Sequence, residues 1–236
     1  MATINSVLGE IDSKDLGFTL MHEHVMVAAS GLSIHYPDLL GPNREERAIE
    51  CLKTAKAHGI DTMLDATTFD LGRDPALLKA VAQASGVNLI NVTGWWLDVP
   101  RFMQGVGANQ MADEFIKDLT EGFRGTDIKA GMLKCAADFE GVTPPLETMA
   151  RAVARAHLQT GVPIMVHSYP TGQVARRQIA IFKEEGVDLG RVKIDHSNDT
   201  TDTEYLKWIL DQGCFLGLDR YPGRLVSAHM RTVTLK

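Results

Sequence analysis

The sequence predicts an α/β fold, a TIM-type (β/α) barrel that stops short of its eighth strand. Short apolar or β-branched runs alternate with longer helical patterns along the 236 residues. The runs are continuously apolar rather than alternating, and no GxGxxG follows the first of them. Strict alternation argues a parallel sheet covered by helices, and continuous apolar runs suit strands buried on both faces. Two closures fit such a sheet, an open doubly wound form and a barrel. The missing glycine fingerprint disfavours the dinucleotide-binding version of the open form.

Seven strands are expected at residues 18–25, 62–66, 88–94, 130–135, 163–167, 192–196 and 215–218. Six helices are expected at 44–58, 75–85, 111–123, 146–160, 172–185 and 203–212. The helices carry apolar residues at spacings of three and four, as in Met149, Ala152, Val153 and Ala156. Gly59, Gly86, Gly161, Gly186 and Gly213 stand where a helix gives way to the next strand, and a glycine there accepts the left-handed conformation that closes a helix. An eight-stranded barrel needs one more strand than the sequence supplies. Residues 1–221 are therefore assigned to an incomplete barrel domain, and 222–236 to an atypical C-terminal tail.

A chain of this length suits one domain of that kind. Acidic and basic residues are mixed along it, with a net charge of −6 and no long basic run, which argues against a nucleic-acid partner. Cys51, Cys135 and Cys214 are far apart and odd in number, so neither a disulfide framework nor a thiolate zinc site is expected. With no basic-then-apolar leader and no apolar run of membrane-spanning length, the chain reads as cytoplasmic with no membrane partner.

The chemistry-bearing residues gather at strand ends. Residues 19–25 read TLMHEHV. Side chains of a strand alternate faces, so His22 and His24 are expected on one face and Glu23 on the other, against the helices. In a barrel the histidines' face is the inside, at the C-terminal rim where barrel active sites lie. Two imidazoles so placed can ligate one metal ion, although HEH can also be merely a polar strand end. His167 closes PIMVH and His196 closes VKIDH, so four of the eight histidines end three strands. Imidazole suits zinc and its neighbours in the transition series. His35, His58, His157 and His229 are expected at the surface.

Lys134 interrupts the apolar strand GMLKCA near the same rim. A buried ammonium facing metal ions is costly. The amine can lose its proton, react with carbon dioxide to give a bridging carbamate, or snorkel to the rim toward a carboxylate. Asp219 and Arg220 follow the last strand, and Asp219 reads as a ligand, a proton carrier or the salt-bridge partner of Arg220. Trp95, Trp96 and Tyr169 follow strands and either wall a substrate pocket or pack loops.

Taken in order, HEHV after LGFTLM, IKAGMLKCA with Lys134, the Val-His pair at His167, DHSNDTTD with His196 and GLDRY resemble the phosphotriesterase family of the amidohydrolase superfamily, above all its bacterial phosphotriesterase-like branch that includes lactonases. The resemblance runs from about residue 5 to about Tyr221. It implies two divalent metal ions, zinc or alternatively iron, cobalt or manganese. His22 and His24 would hold the more buried ion, His167 and His196 the more exposed one, and a carboxylated Lys134 would bridge them. It implies hydrolysis of small-molecule esters, lactones or phosphotriesters by a hydroxide bridging the metals, with Lys134 and Arg220 in the catalytic site, and a possible homodimer. Two features depart from the family. The aspartate that its eighth strand supplies has no equivalent in residues 222–236, so a catalytically impaired metal- or ligand-binding remnant is the alternative reading. Trp95 and Trp96 stand where lactonases often carry a tyrosine.

Overall fold

The structure, a computed structural model, describes residues 2–223 and 225–235. Met1, Arg224 and Lys236 lie outside the described residues, so the 222–236 segment is described only in part. The chain divides into two compact units, Met1–Gly94 with Glu114–Met132, and Trp95–Asp113 with Leu133–Lys236. Among the described residues no helix is long and apolar enough to cross a membrane.

The first unit opens with an antiparallel hairpin of β1 (Thr3–Ser6) and β2 (Gly9–Asp12). Sequence reading passed over it, because four-residue strands are too short to show a period. Next come β3 (Thr19–Glu23), a one-turn α1 (Leu32–His35), α2 (Arg44–Ala57), β4 (Thr62–Asp65), α3 (Pro75–Ser85) and β5 (Asn88–Gly94), and the division between the units falls within α4 (Ala108–Thr120), after Asp113. β4 pairs parallel with β3 on one side and β5 on the other. α3 spans its expected residues for local reasons. The Asp74 carboxylate accepts from Leu77 N–H at 3.0 Å at the start, Pro75 takes the first turn, and Gly86 closes the end at φ 71°. Its buried Leu77, Leu78, Val81 and Ala82 form one stripe.

β3 differs from expectation. It is shorter than 18–25, and its register against β4 slips between Leu20 and Glu23. A bulge breaks strict alternation and re-aims side chains. His22 is buried, Glu23 half-buried and His24, just past the strand, exposed. α4 lies three residues before the expected 111–123.

The second unit runs β6 (Met132–Ala136), α5 (Pro144–Thr160), β7 (Ile164–His167), α6 (Ala175–Glu185), β8 (Val192–Ile194), α7 (Thr203–Asp211), β9 (Phe215–Leu216) and α8 (Ala228–Thr234). β6 to β9 pair in parallel in chain order. α6 starts later than residue 172 because Pro170–Gly172 forms a 3-10 turn. β8 ends before His196, whose φ of 60° turns the chain into a further 3-10 turn at Ser197–Asp199. Arg151 ties α5 to α6, bonding Glu147 at 2.7 Å, Glu184 at 2.6 Å and Glu185 at 3.0 Å. His157, expected at the surface, is buried. It lies one turn after Val153 on the buried stripe of α5, and its Nδ1 donates to the Val162 carbonyl at 2.8 Å.

Within the atypical tail, α8 is capped by Ser227, whose Oγ accepts from Met230 N–H. It is anchored by Arg231, which is 1% exposed and bonds Asp199 through Nη2 at 2.5 Å and the Val226 carbonyl through Nε at 2.9 Å. In both units the parallel strands are followed by helices and neighbour one another in chain order. This is the repeat of a (β/α) barrel short of its eighth strand, as the sequence predicts.

The first unit depends on a close backbone approach at Gly131. Asn5 Nδ2 donates to the carbonyls of Leu119 and Ala130 at 3.0 and 2.9 Å, which draws β1 against the chain leading into β6. A Cβ at Gly131 would stand 2.5 Å from the Asn5 carbonyl oxygen and 2.7 Å from Ile90 Cγ2. Gly131→Ala is expected to cost roughly 1–3 kcal/mol as an overpacked site, read as a lower urea midpoint. Gly105→Ala, where a Cβ meets nothing within 4 Å, is the control and should leave the midpoint in place.

Candidate metal centre

In the first unit His22 and His24 stand edge to face, ring centroids 5.5 Å apart. Behind them lies a polar relay that sequence reading missed. Asp65, at the end of β4 and 1% exposed, accepts from Val25 N–H at 3.0 Å and from the Thr67 hydroxyl at 2.8 Å. Asn91 Nδ2 reaches its other oxygen at 3.3 Å. Burial raises the Asp65 pKa to about 7, against the pull of these bonds. With its proton committed to Asp65, the Thr67 hydroxyl accepts from His24 Nδ1 at 2.8 Å. That bond places the His24 proton on Nδ1 and the ring's lone pair on Nε2. The signal was present in the sequence as an aspartate inside the apolar run Met63-Leu64-Asp65-Ala66.

In the second unit Lys134 is 1% exposed, so it does not snorkel to the rim. Its Nζ lies 3.5 Å from Asp195 Oδ2, and Lys193 is bonded to the other oxygen of the same carboxylate. Burial lowers the Lys134 pKa, partly opposed by Asp195. Asp195 sits against Gly217, whose missing Cβ would meet Asp195 Oδ1 at 2.7 Å. Cys135, next to Lys134, is buried and its thiol is pushed up to about 12, so it stays protonated and unreactive.

His167 and His196 meet directly. His167 Nδ1 and His196 Nε2 are 2.8 Å apart, with ring centroids separated by 4.5 Å. Each ring leans on a carboxylate by its other nitrogen. His167 Nε2 donates to Asp138 Oδ2 at 2.8 Å. His196 Nδ1 donates to Asp219 Oδ1 at 2.9 Å, and the same oxygen accepts the His196 backbone N–H at 3.0 Å. Burial pulls the His167 pKa down to about 4, so its ring is neutral. The Trp96 indole also donates toward His167 Nδ1, at 3.3 Å. The facing nitrogens are thus the lone-pair sides of both rings. Only a proton or a metal cation between two lone pairs makes so close an approach attractive.

Asp219 therefore supports His196 and is not the salt-bridge partner of Arg220. The Arg220 guanidinium, 43% exposed, bonds Asp199 at 2.5 Å instead, because the Asn198 side chain holds the Arg220 backbone beside that turn. Of the aromatic candidates, Trp95 is buried and packs, whereas Trp96 is half-buried and aimed at His167.

A family model described as the phosphotriesterase family matches residues 2–234. The chain belongs to the phosphotriesterase family. The match continues past Tyr221 into the segment set apart as a tail. Among relatives of this phosphotriesterase-family chain, a phosphotriesterase homology protein of Mycobacterium tuberculosis is 39% identical over 246 residues, covering all of this chain and 76% of that protein. An aryldialkylphosphatase of Saccharolobus solfataricus is 41% identical over 214 residues, 89% of this chain and 68% of that one. An N-acetyltaurine hydrolase of Dictyostelium discoideum is 32% identical over 182 residues, 76% of this chain and 49% of that one. Family membership supports a metal-dependent hydrolase.

The buried Lys134–Asp195 pair gives a direct test of the lysine's charge. In the metal-free chain, Asp195→Ala is expected to cost about 3–5 kcal/mol, the usual result of stranding a buried charge. The double change Lys134→Met with Asp195→Leu should recover most of it. Urea denaturation checks both, and a loss under ~1 kcal/mol for Asp195→Ala would show that Lys134 carries no charge needing compensation.

Proposed function

We propose that the chain hydrolyses small-molecule ester, lactone or phosphotriester bonds with two divalent cations, zinc being the first choice. His22 and His24 would hold one cation, His167 and His196 the other, and a carboxylated Lys134 would lie between them as the shared anionic ligand. The observation that carries the reading is the approach of His167 Nδ1 to His196 Nε2 at 2.8 Å, with both rings anchored from behind by carboxylates. Imidazole nitrogens with their lone pairs so presented suit a borderline-soft cation such as zinc. When bound, two such cations would acidify a water to a hydroxide near neutral pH and withdraw electron density from the scissile bond.

The chain's own residues do the arranging. Thr67 and Asp65 fix the His24 tautomer, and Asp219 fixes both the backbone and the ring of His196. Burial lowers the Lys134 pKa and so eases access to the neutral amine, the form able to take up carbon dioxide, while the Asp195 pair opposes this. Arg220, half in solvent and held on Asp199, would meet the polar end of a substrate. Trp96 offers an indole N–H beside the histidine pair, a neutral donor where a phenol is common in the lactonases. The phosphotriester part of the substrate range draws on the aryldialkylphosphatase relative.

Metal removal tests the reading. Exhaustive chelation should abolish hydrolysis of paraoxon-like, aryl-ester and lactone substrates, and reloading with zinc should restore it with about two ions per chain by elemental analysis. His167→Ala and His196→Ala are each expected to lower metal content and to cut kcat/KM by at least about 100-fold. Full hydrolysis after chelation, or unchanged metal content in both variants, would end the proposal.

A further inference from the structure

Asp138 lies two residues beyond β6 and has no part in the ligand set proposed above. Its carboxylate is nevertheless held from both sides. Oδ1 accepts from Phe139 N–H at 2.8 Å and Oδ2 accepts from His167 Nε2 at 2.8 Å. The backbone beneath is closed into a tight turn, with Gly141 N–H donating to the Asp138 carbonyl at 2.7 Å. A carboxylate gripped by its own turn is a fixed acceptor rather than a mobile surface group.

His167 does not need Asp138 to hold its place in the chain. The His167 carbonyl already accepts from Ala137 N–H at 3.1 Å and from Gln178 Nε2 at 2.9 Å. What these bonds leave open is the ring. A half-turn about χ2 would swap Nδ1 for a carbon, and a shifted proton would place N–H where the lone pair now faces His196. The bond to Asp138 opposes both changes, because Nε2–H must point at Oδ2. The Trp96 indole, 3.3 Å from Nδ1, points at the same lone pair, but through a longer and weaker contact than the 2.8 Å bond to Asp138.

We infer that Asp138 is a positioning residue: it keeps the His167 proton on Nε2 and so keeps the Nδ1 lone pair turned toward His196 and the cation held there. The inference rests on the metal reading above. An imidazole oriented by a carboxylate through its far nitrogen is a common support for metal ligation, and its loss usually weakens binding by about 10–100-fold.

Two measurements on the full chain test it. In metal-free protein with 15N-labelled histidine, long-range 1H–15N correlation should show His167 as a single Nε2–H tautomer. Asp138→Ala should turn this into a mixture or into the Nδ1–H form. Competition of zinc against a chromophoric chelator should then show one of the two zinc ions bound about 10–100-fold more weakly in Asp138→Ala, and the other unchanged. Asp138→Asn keeps an oxygen able to accept from Nε2 and should fall between the two, which a mere loss of loop packing would not produce. Wild-type zinc affinity at both sites, or an unchanged tautomer in Asp138→Ala, overturns the inference. A wild-type chain that takes up no zinc overturns the metal reading instead, and the tautomer spectrum, recorded without metal, tells the two failures apart.

Discussion

Two imidazole nitrogens 2.8 Å apart, each the lone-pair side of its ring, are the constraint around which the second unit is arranged. Left to themselves the rings would rotate away or share a proton. They are kept facing by Asp138 and Asp219, which take the protons on the far sides. Rings held in this way need little further ordering to receive a proton or a cation between them.

Aspartates placed just behind strand ends recur in both units. Asp65 steadies the segment after β3 through Val25 and Thr67. Asp195 faces Lys134, and Asp219 takes both the backbone and the ring of His196. Burial makes a poor environment for a charge, as the raised Asp65 pKa shows, and hydrogen bonds hold the Asp65 and Asp219 carboxylates in place. The cost in folding stability is spread over the barrel's apolar strands, whose residues Leu64, Leu89, Leu133, Met165 and Ile194 are all buried. A largely apolar sheet with its chemistry gathered toward the strand ends is how this architecture separates stability from chemistry.

The tail illustrates how a segment acquires meaning from packing. Read linearly, residues 222–236 show no strand and no familiar motif. Folded, they form α8 and place Arg231 on Asp199, the carboxylate that also holds Arg220. A buried arginine with a buried aspartate is a specific anchor, since either one alone would be an uncompensated charge. The tail is thereby tied to the same turn that positions the residue expected to meet substrate.

Much of the fold was legible because it rests on local chemistry. α3 and β5 occupy their expected residues, since Asp74, Pro75 and Gly86 punctuate the helix and Leu89, Ile90 and Val92 give the strand its β-forming run before Gly94. Histidines at strand ends were legible too, because strand direction fixes which end of a run reaches the rim. The sequence could not show the slip in β3 that leaves His22 buried and His24 exposed, because a bulge depends on the partner strand. Nor could it show that His157 is buried or that Arg220 chooses Asp199 over its neighbour Asp219. By itself the sequence determined the alternation of strands and helices and the residue types at the rim, both set by short-range pattern. Only the tertiary structure decided which carboxylate backs which imidazole, because partners 23 and 29 residues apart are chosen by register and loop path.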